Sequence, residues 1–567
     1  MSKINGVAAS PGIAIGEVLV LEEELSYDRV KVEDVAKEKI KLEEAMSASK
    51  KQLTAIKEKV KAEMGSEQAE IFQAHLMVLD DPELISAIEN KIEAEAINVE
   101  AALGETIEEF ATIFSNMDNE YMKERASDIR DVGDRILRNL LGLEAQSVAD
   151  LEQEVILIAD DLTPSDTAQV DKEQVLGFAT KIGGRTSHTA IMARSLGIPA
   201  VVGAKELLEA VETGTTVIVD GVAGVVIVEP TEEQLAEYQE KLADYQKRQE
   251  RLTKLKELPA ETEDGHRVEL AANIGTPADL DSALENGAEG IGLYRSEFLY
   301  MDRESLPTEE EQFEAYKEVA ERIDGPTVIR TLDIGGDKEL SYLDLPDEMN
   351  PFLGYRAIRI SLERTDIFKA QLRAILRASR YGQIKIMYPM ISSLEELQAA
   401  NQILAEVKED LTKEGFDFNR ELEVGMMIEV PAAAMIADLL AKEVDFFSIG
   451  TNDLIQYTTA TDRMNEHVAV LYQPFHPAIL RLIKRVVEAA HKHDSWVGMC
   501  GEMAGDRRLT PFLVGVGLDE FSMSAVSIPE VKEVIRNLTI QQAKEITDQV
   551  LSLSTSQKIE DFLGSYC

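Results

Sequence analysis

Apolar runs of strand length flank a long helical stretch in the first part of the chain. A Gly-Pro-punctuated start leads into a run that predicts a strand over residues 13–21. Further short runs alternate with helical segments later on, and they predict strands over residues 155–159, 175–178, 200–202 and 217–220. We therefore expect residues 1–22 and 145–230 to form one mixed α/β domain.

The stretch between these two pieces, residues 23–144, has a helical pattern. It is charge-rich and nearly free of Gly and Pro. Leu53, Ile56 and Val60 recur at helical spacing and give one apolar face. Pro82, directly after an aspartate, ends one helix and begins the next. The pattern predicts an inserted helical bundle.

A polar helical stretch follows the α/β pattern. Leu235, Tyr238, Leu242 and Tyr245 stand at 3-4-3 spacing, which gives a narrow apolar seam. A coiled-coil contact and a packing surface both fit such a seam, but its short length favours a linker helix over residues 231–260.

After Pro259 the pattern changes to short apolar runs separated by helical or long loop segments. Eight such runs over roughly 250 residues are the expectation for a (β/α)8 barrel. The predicted strands are residues 270–274, 290–293, 328–332, 384–388, 424–428, 446–449, 496–499 and 520–523. We therefore predict an α/β multidomain fold, in which an α/β domain with an inserted helical bundle precedes a C-terminal TIM barrel over residues 261–567.

Composition narrows the classes of protein that fit. The chain has 567 residues, so we expect several domains. It contains no apolar run of 18 residues and begins without a hydrophobic signal segment, so we expect a cytoplasmic protein. Two cysteines argue against a disulfide framework or a thiolate zinc site. A formal net charge of −47 argues against nucleic acid or an anionic membrane as partner, and an acidic surface can instead attract a basic protein.

One histidine, His188, stands in an informative local sequence. Residues 183–190 read Gly-Gly-Arg-Thr-Ser-His-Thr-Ala, and a helix over residues 189–196 is predicted to begin there. Free N–H groups and the macrodipole at a helix start favour phosphate, and the paired glycines allow close backbone approach. An imidazole in that setting can accept a phosphoryl group as phosphohistidine. The alternative is a structural histidine beside a tight turn.

Polar residues follow the ends of the predicted barrel strands, where the chemistry of TIM barrels lies. Arginine forks pair bidentately with phosphate and carboxylate oxygens, which implies a small, multiply anionic substrate. The set comprises four arginines, two or more carboxylates, an amide and a thiol, in residues 294–297, 330–333, 350–356, 428–431, 450–453, 461–463 and 498–502.

Three of these residues suggest further chemistry. Glu429 and Asp453 are oxygen ligands at the right position for Mg²⁺, which takes one or two carboxylates together with water and substrate oxygens. Cys500 is a candidate acid, because an ordinary thiol is protonated at neutral pH. Taken singly, the arginines fit salt bridges, Cys500 fits a core position, and the carboxylates fit counter-charges. Their shared location favours an anion site with Mg²⁺.

Over essentially its whole length the chain closely resembles enzyme I of the phosphoenolpyruvate:sugar phosphotransferase system. The matching motifs are Ala-Ala-Ser-Pro-Gly at 8–12, Gly-Gly-Arg-Thr-Ser-His at 183–188, Ile-Gly-Thr-Asn-Asp-Leu at 449–454 and Met-Cys-Gly-Glu-Met at 499–503. Each is moderately specific alone, and together they are very specific. The resemblance implies an enzyme in which His188 takes the phosphoryl group of phosphoenolpyruvate and passes it to a histidine of the carrier protein HPr, releasing pyruvate, as the first step of sugar uptake.

The resemblance also implies roles for the barrel residues. Mg²⁺ as cofactor would be bound by Glu429 and Asp453, and Cys500 would act with His188 as a catalytic residue by protonating the enolate carbon. His476 has no family role that carries over, and loop packing is its expected role. Phosphoenolpyruvate would be held by Arg295, Arg330, Arg356, Asn452, Asp453 and Arg463.

The same resemblance implies partners for each domain. Residues 23–144 would dock HPr, and residues 261–567 would bind phosphoenolpyruvate and form a homodimer. Because His188 would have to visit both the barrel and HPr, the connector over residues 231–260 is expected to permit a domain swing. A candidate docking face comprises Glu67, Glu70, Asp80 and Asp81, beside Phe72 and His75.

Two other functions are alternatives for a chain of this pattern. ATP-using relatives such as pyruvate phosphate dikinase or phosphoenolpyruvate synthase add a large nucleotide-binding domain, whereas the corresponding stretch here is helical and lacks a Gly-rich phosphate loop. A non-catalytic phosphorelay scaffold would not need the complete set of arginines, carboxylates and thiol.

Overall fold

The computed structural model describes residues 2–21, 25–63, 66–115, 120–143, 153–162, 170, 174–184, 187–301, 303–336, 340, 342–343, 345–346, 348–465 and 467–566. The chain divides into two compact units, Met1–Arg248 and Gln249–Cys567. Each unit has its own hydrophobic core, and each is described by itself.

The first unit is built on a mixed eight-stranded sheet. Its strands are β1 Ser2–Asn5, β2 Val7–Ser10, β3 Ile13–Leu21, β4 Val155–Ala159, β5 Val175–Thr180, β6 Ala200–Val202, β7 Thr216–Asp220 and β8 Val225–Val228. Their spatial order is β1-β8-β7-β3-β4-β5-β6-β2. The central strands β3 to β6 pair in parallel, and both edges are antiparallel. In β4, the side chains of Ile156, Leu157 and Ile158 are all fully buried, as expected for a strand covered on both faces.

The helices of the first unit form a bundle inserted between β3 and β4, together with short helices beside the sheet. The bundle comprises α1 Val35–Glu63, α2 Ser66–Leu79, α3 Pro82–Glu95, α4 Val99–Ser115 and α5 Glu120–Leu141. The sheet carries α6 His188–Leu196 and α7 Leu207–Ala210. The break between α2 and α3 lies where the sequence predicts it, because Asp81 caps α3 by accepting a hydrogen bond from the Glu83 N–H at 2.8 Å and Pro82 opens the helix.

The bundle core corrects one prediction about α2. Phe72 and His75 were expected beside an exposed docking face, but both are buried in the interior of the bundle. The His75 ring nitrogens lie 3.3 Å from an Asp128 oxygen and 3.4 Å from an Asp131 oxygen, with Phe72 edge-on. The apolar stripe of α2 therefore packs inward. The side chains of Glu67 and Glu70 lie outside the described residues, and Asp80 is exposed and paired with Lys50.

The connecting helix α8, Glu232–Leu255, begins in the first unit and ends in the second. In the first unit Leu235 and Tyr238 pack against apolar residues of β3, β7 and β8. In the second unit Arg251 forms an ion pair with Glu533, and Lys532 Nζ donates to the Lys256 carbonyl at 2.8 Å. Each end of the helix is thus fixed to the unit in which it lies.

The second unit is a closed barrel of eight parallel strands. The strands are β9 Glu269–Ile274, β10 Gly290–Arg295, β11 Pro326–Arg330, β12 Gln383–Tyr388, β13 Val424–Ile428, β14 Phe446–Ile449, β15 Trp496–Met499 and β16 Glu520–Met523. The helices are α9 Leu280–Glu285, α10 Glu309–Arg322, α11 Ile358–Glu363, α12 Thr365–Ala378, α13 Leu394–Glu414, α14 Pro431–Met435, α15 Ala437–Leu440, α16 Thr451–Thr459, α17 Pro477–His491, α18 Thr510–Val516, α19 Ile528–Arg536, α20 Ile540–Ser552 and α21 Ser556–Gly564.

Side chains alternate between the inside and the outside of the barrel wall. Along β13, Met426 and Ile428 belong to the outer core shared with the helices, whereas Met427 belongs to the inner cluster. At the end where the strands begin, Trp496 stacks on Phe446 with ring centroids 4.4 Å apart, and Lys385 Nζ lies 4.2 Å from the Trp496 ring centroid. The barrel interior is therefore filled with side chains.

The predicted fold class is confirmed, with differences at particular strands. The third barrel strand begins and ends two residues earlier than predicted, because the chain leaves the wall after Arg330, and this places Arg330 at the very end of β11. The short strands β1, β2 and β8 were not predicted. No helix in the described ranges combines the length and the apolar character that a membrane crossing needs.

The barrel interior provides a test of the packing. Gly425 faces Phe446 in register, and a Cβ added at Gly425 would lie 2.6 Å from the Phe446 ring. We expect Gly425→Ala to lower the free energy of unfolding of the barrel unit by about 1–3 kcal/mol, because the ring would have to move within a filled core. Chemical denaturation followed by the fluorescence of Trp496, the single tryptophan of the chain, measures this change.

Gly564→Ala is the matched control. Gly564 also lies in the second unit, at the end of α21, and no heavy atom lies within 4 Å of an added Cβ. Its stability should stay within about 0.5 kcal/mol of the unsubstituted protein. Equal stability of the two variants would contradict the packing described here.

Candidate active site

The ends of the barrel strands surround one cavity of about 520 Å³ in the second unit. Every barrel residue that the sequence analysis assigned to substrate, Mg²⁺ or proton donation lines this cavity, as expected where parallel strands end at the same face. These residues are Arg295, Arg330, Arg356, Glu429, Asn452, Asp453, Arg463 and Cys500.

Arg330 and Arg356 are buried and held by carboxylates. Arg330 Nη2 donates to Glu297 Oε1 at 2.5 Å, and its Nη1 lies 2.8 Å from Asp333 Oδ2. Arg356 Nη2 donates to Asp333 Oδ1 at 3.0 Å and to Asp453 Oδ2 at 3.2 Å. Asp333 therefore bridges the two guanidinium groups and fixes their relative positions.

Burial and counter-charge act in opposite directions on these arginines. Burial lowers the pKa of Arg330, but Glu297 and Asp333 outweigh it and raise the pKa above the ordinary value. Burial also lowers the pKa of Arg356, but Asp333 and Asp453 outweigh it and raise that pKa above the ordinary value. Both guanidinium groups thus stay charged although they are desolvated, and each retains an Nε atom without a hydrogen-bond partner among the described residues.

Three residues of the cavity are more accessible. Arg463 keeps 34% of its side-chain surface exposed, and its Nη1 lies 4.0 Å from Glu502 Oε1. The Asn452 amide donates to Glu502 Oε1 at 3.1 Å and accepts from the Glu502 N–H at 2.9 Å. Arg295 lies over the Phe298 ring, 5.2 Å from its centroid. These polar groups can therefore reach a small molecule in the cavity.

Glu429 is the buried carboxylate of the cavity. Its Oε1 accepts from the Met390 N–H at 2.6 Å. Burial, followed by the charges of Asp453 and Asp333, raises the pKa of Glu429 to about 8. A cation bound beside Glu429 would offset the charges of Asp453 and Asp333, so it would be favourable there.

The donor set fits a hard divalent cation that brings other ligands with it. Glu429 and Asp453 supply carboxylate oxygens, which Mg²⁺ prefers. Among the described residues no group of three or more His, Cys, Asp or Glu side chains is arranged to hold a metal by itself. A cation here would therefore rely on substrate and water oxygens for the rest of its coordination shell.

Cys500 lies where β15 enters the cavity. The residue is 6% exposed and belongs to the inner barrel cluster. Burial raises the pKa of the Cys500 thiol to about 12, so the thiol is protonated at neutral pH. Its backbone is fixed on both sides, because the Cys500 N–H donates to the Ile449 carbonyl at 3.2 Å and Asn273 Nδ2 donates to the Cys500 carbonyl at 3.0 Å.

The backbone next to the site is strained at two positions. Ala357, directly after Arg356, has φ +53°, and Met390, the partner of Glu429, has φ +58°. Residues other than glycine rarely occupy this region, and such strain persists only where the surroundings enforce it. The two strained residues each adjoin a charged group of the cavity.

Sequence reasoning did not assign roles to Glu297, Asp333 or Asn273. Glu297 and Asp333 lie within three positions of a strand-end arginine, and this spacing is a usable signal. Asn273 lies one residue before the end of β9, on the inner face, but nothing in its local sequence predicts the contact with Cys500. The contacts of these residues depend on neighbouring strands.

His188 belongs to the first unit, where it opens α6. Ser187 caps the helix by accepting from the Ala190 N–H at 3.4 Å, and Gly183 takes φ +116° beside it. A Cβ at Gly203 would lie 2.9 Å from the Gly183 carbonyl, so the lack of a side chain at Gly203 lets these two backbone segments pack closely. Arg185 and Thr186 of the motif lie outside the described residues.

Charge is unevenly balanced in the barrel cavity. Four arginines line it together with six carboxylates, namely Glu297, Asp333, Glu429, Asp453, Glu502 and Asp506. Asp506 is neutralised by Arg508, at 2.7 Å. The remaining groups can hold an anion through the arginines and a cation through the carboxylates, which is an arrangement suited to phosphoryl compounds bound with a divalent metal.

Three protein families match successive parts of the chain. "PEP-utilising enzyme, N-terminal" matches residues 5–125, "PEP-utilising enzyme, mobile domain" matches residues 151–224, and "PEP-utilising enzyme, PEP-binding domain" matches residues 249–540. The third match covers the barrel and its cavity.

Individual relatives match over the full length. A phosphoenolpyruvate-protein phosphotransferase of Staphylococcus carnosus is 54% identical over 100% of this chain and 99% of its own. One of Bacillus subtilis is 56% identical over 99% of both chains. A solution NMR structure of an Enzyme I protein is 50% identical and covers 43% of this chain and 99% of that chain, with a TM-score of 0.38. The chain is therefore an enzyme and belongs to the PEP-utilising enzyme family, as one of its phosphoenolpyruvate-protein phosphotransferases.

Proposed function

We propose that the phosphoryl group of phosphoenolpyruvate moves first to His188 and then to a histidine of the carrier protein HPr, with release of pyruvate as the first step of sugar uptake. The observation that carries this proposal is the convergence of four arginines, two candidate metal-binding carboxylates and one thiol on a single cavity. The curated relatives named above support the same substrate.

Phosphoenolpyruvate carries a phosphate and a carboxylate, and the cavity offers separate partners for them. The buried pair Arg330 and Arg356 presents fixed guanidinium groups, while Arg295 and Arg463 are accessible enough to close on the ligand. Asn452 adds an amide donor. Glu429 and Asp453 would hold Mg²⁺, which when bound neutralises phosphoryl charge and orients the substrate.

Transfer to His188 requires positioning more than covalent chemistry. In phosphoryl transfer, catalysis comes mainly from in-line alignment and from neutralisation of charge on the phosphoryl oxygens. Arg330 and Arg356 already have their counter-ions, so these two groups need little reorganisation when the substrate binds. The imidazole of His188 would attack phosphorus, and the enolate of pyruvate would leave.

The leaving enolate needs a proton on carbon. The Cys500 thiol lines the cavity and keeps its proton at neutral pH, since burial raises its pKa to about 12. Cys500 would therefore act as the acid that converts the enolate to pyruvate. The start of α6 would then hold the phosphoryl group on His188, because a capped helix N-terminus favours negative charge.

His188 must reach both the barrel cavity and HPr, so we also propose that the first unit moves relative to the second. Helix α8 is fixed at one end to the sheet through Leu235 and Tyr238, and at the other end to the barrel unit through Arg251. Such anchoring would let α8 transmit a rotation between the units while each unit stays rigid.

Two protein contacts complete the proposal. The acidic helical bundle would receive HPr, and the exposed Asp80 remains a candidate contact, whereas Phe72 and His75 do not. The barrel unit would form a homodimer. Met464, Val470 and Leu471 expose 73%, 71% and 57% of their surface, and exposed apolar residues of this kind are typical of protein interfaces.

Mapping of the phosphoryl group tests the proposal directly. After incubation with phosphoenolpyruvate and Mg²⁺, mass spectrometry should locate an acid-labile phosphate on His188, and added HPr should remove it. His188→Ala should carry no such phosphate and should form no phospho-HPr. A phosphate at another residue, or the same label in His188→Ala, would refute the assignment.

A matched pair of arginine variants separates binding from stability. Arg463→Lys keeps the charge and loses the fork, so we expect the KM for phosphoenolpyruvate to rise about tenfold while the melting temperature stays unchanged. Arg356→Lys should raise KM and also lower the free energy of unfolding by about 1–3 kcal/mol, because its buried partners Asp333 and Asp453 lose hydrogen bonds. Unchanged kinetics in Arg463→Lys would remove this residue from the site.

A further inference from the structure

A line of polar side chains runs through the barrel interior beneath the active site. By the alternation along each strand, Ser448, Gly498 and Glu520 face inward, because Phe446, Trp496 and Cys500 belong to the inner cluster and Phe521 and Met523 belong to the outer core. These three positions are also in register on neighbouring strands, as Ser448 pairs with Gly498 and Gly498 pairs with Glu520. A buried carboxyl group is an expensive component of a barrel core, so its presence calls for an explanation.

The barrel wall makes room for the Glu520 carboxyl group. A Cβ added at Gly498 would lie 2.7 Å from Glu520 Oε1, and one added at Gly292 would lie 2.6 Å from the same atom. The carboxyl group thus fills the space that two glycines leave open. Glu520 is 2% exposed, and its Oε1 has no hydrogen-bond partner among the described residues.

The groups around Glu520 keep it protonated. Burial and the neighbouring carboxylate of Glu269, the in-register residue on β9, raise the pKa of Glu520 to about 8. Lys385, on β12, lowers it, and Asp519 raises it slightly. A carboxylic acid therefore lies in the barrel core at neutral pH, below the thiol.

Ser448 is level with Glu520, on the other side of Gly498, and it lies two strand positions below Cys500 on the neighbouring strand. Its hydroxyl is buried and lacks a fully formed hydrogen bond among the described residues. The Cys500 Sγ lies 4.0 Å from the carbonyl of Ile449, the residue that directly follows Ser448, so the thiol is at the Ser448 end of β14. Burial raises the pKa of the Cys500 thiol, and the Ser448 hydroxyl opposes that rise. Arg330 also lowers this pKa, whereas Glu429 and Glu520 raise it.

The proposed reaction requires Cys500 to recover a proton after each turnover. Once Cys500 has given its proton to the enolate, a buried thiolate remains and must regain a proton before the next turnover. We infer that Glu520 supplies this proton through the Ser448 hydroxyl, an inference that rests on the proposed role of Cys500 as the acid.

The transfer balances without any added reagent. The Ser448 hydroxyl gives its proton to the Cys500 thiolate and takes the proton of the Glu520 carboxyl group, which leaves a carboxylate. Glu269, half-buried at the end where the strands begin, is positioned to return a proton from solvent to Glu520. Ser448 ends as it began, and the thiol is restored.

Isotope exchange distinguishes the resupply of a proton to Cys500 from the protonation of the enolate by Cys500. Exchange of labelled pyruvate into phosphoenolpyruvate returns the same proton to Cys500 in each cycle, so it needs no outside supply. Net turnover with HPr as acceptor does need one. We therefore expect Glu520→Gln to exchange label at nearly the normal rate while its net pyruvate formation falls at least about tenfold.

The pH profile gives a second readout that packing damage would not reproduce. In the unsubstituted enzyme the ratio of net turnover to exchange should fall above about pH 8, where Glu520 loses its proton, and in Glu520→Gln this ratio should not change with pH. The ratio is the readout because Glu429, whose pKa is also about 8, acts on both reactions. Ser448→Ala should also exchange label at nearly the normal rate while its net turnover falls, and it provides the test if Glu520→Gln does not fold.

Thr327→Val is the control, since Thr327 is another buried barrel hydroxyl without a partner in the described ranges. Its exchange rate and its net turnover should both be normal.

Each result has one meaning. Normal net turnover in Glu520→Gln or in Ser448→Ala would overturn the proton supply, and so would an equal loss of exchange and turnover. Cys500→Ala should lose both reactions. If it retains both, then the acid role assigned to Cys500 fails, which is a separate result from failure of the Glu520 route.

Discussion

The side chains at the mouth of the barrel are arranged so that each buried guanidinium group has a carboxylate partner. Arg330 and Arg356 are buried, and each would be costly without a counter-ion. Asp333 serves both guanidinium groups, Glu297 serves the first and Asp453 serves the second. The arginines are consequently held in place before any substrate arrives, and preorganised charge of this kind is the largest contribution that many enzymes make to catalysis. The same arrangement places Asp333 and Asp453 near Glu429, and burial together with these two carboxylates raises the pKa of Glu429 above that of an ordinary glutamate.

The fold brings this charge network about through register. Parallel strands end at one face of the barrel, so residues far apart in sequence, such as Glu297, Arg356 and Asp453, become neighbours. Alternation along the same strands fills the interior below, where apolar side chains dominate but Ser448 and Glu520 interrupt them. The first unit contributes a separate feature, which is the capped start of α6 beside paired glycines. This helix lies on a sheet whose central strands are buried.

Much of this architecture could be predicted from the sequence, because strand-length apolar runs and helix caps are local signals. The barrel strands and the break before Pro82 are examples. The short strands β1, β2 and β8 were missed because four-residue segments give little periodicity. The assignment of Phe72 and His75 to a surface was wrong. Their spacing with Leu79 already matched one helical face, and that face is buried. The pairing of particular carboxylates with particular arginines could not be predicted, since it depends on contacts across strands.

Carboxylates outnumber arginines in the cavity, so we expect it to bind its anionic substrate well only when a divalent cation offsets the excess negative charge. Calorimetric titration of phosphoenolpyruvate into full-length His188→Ala protein, in which turnover is blocked, measures this directly. With Mg²⁺ present we expect saturable binding, and with Mg²⁺ removed by a chelator we expect the Kd to rise at least about tenfold. The same Kd under both conditions would contradict the account.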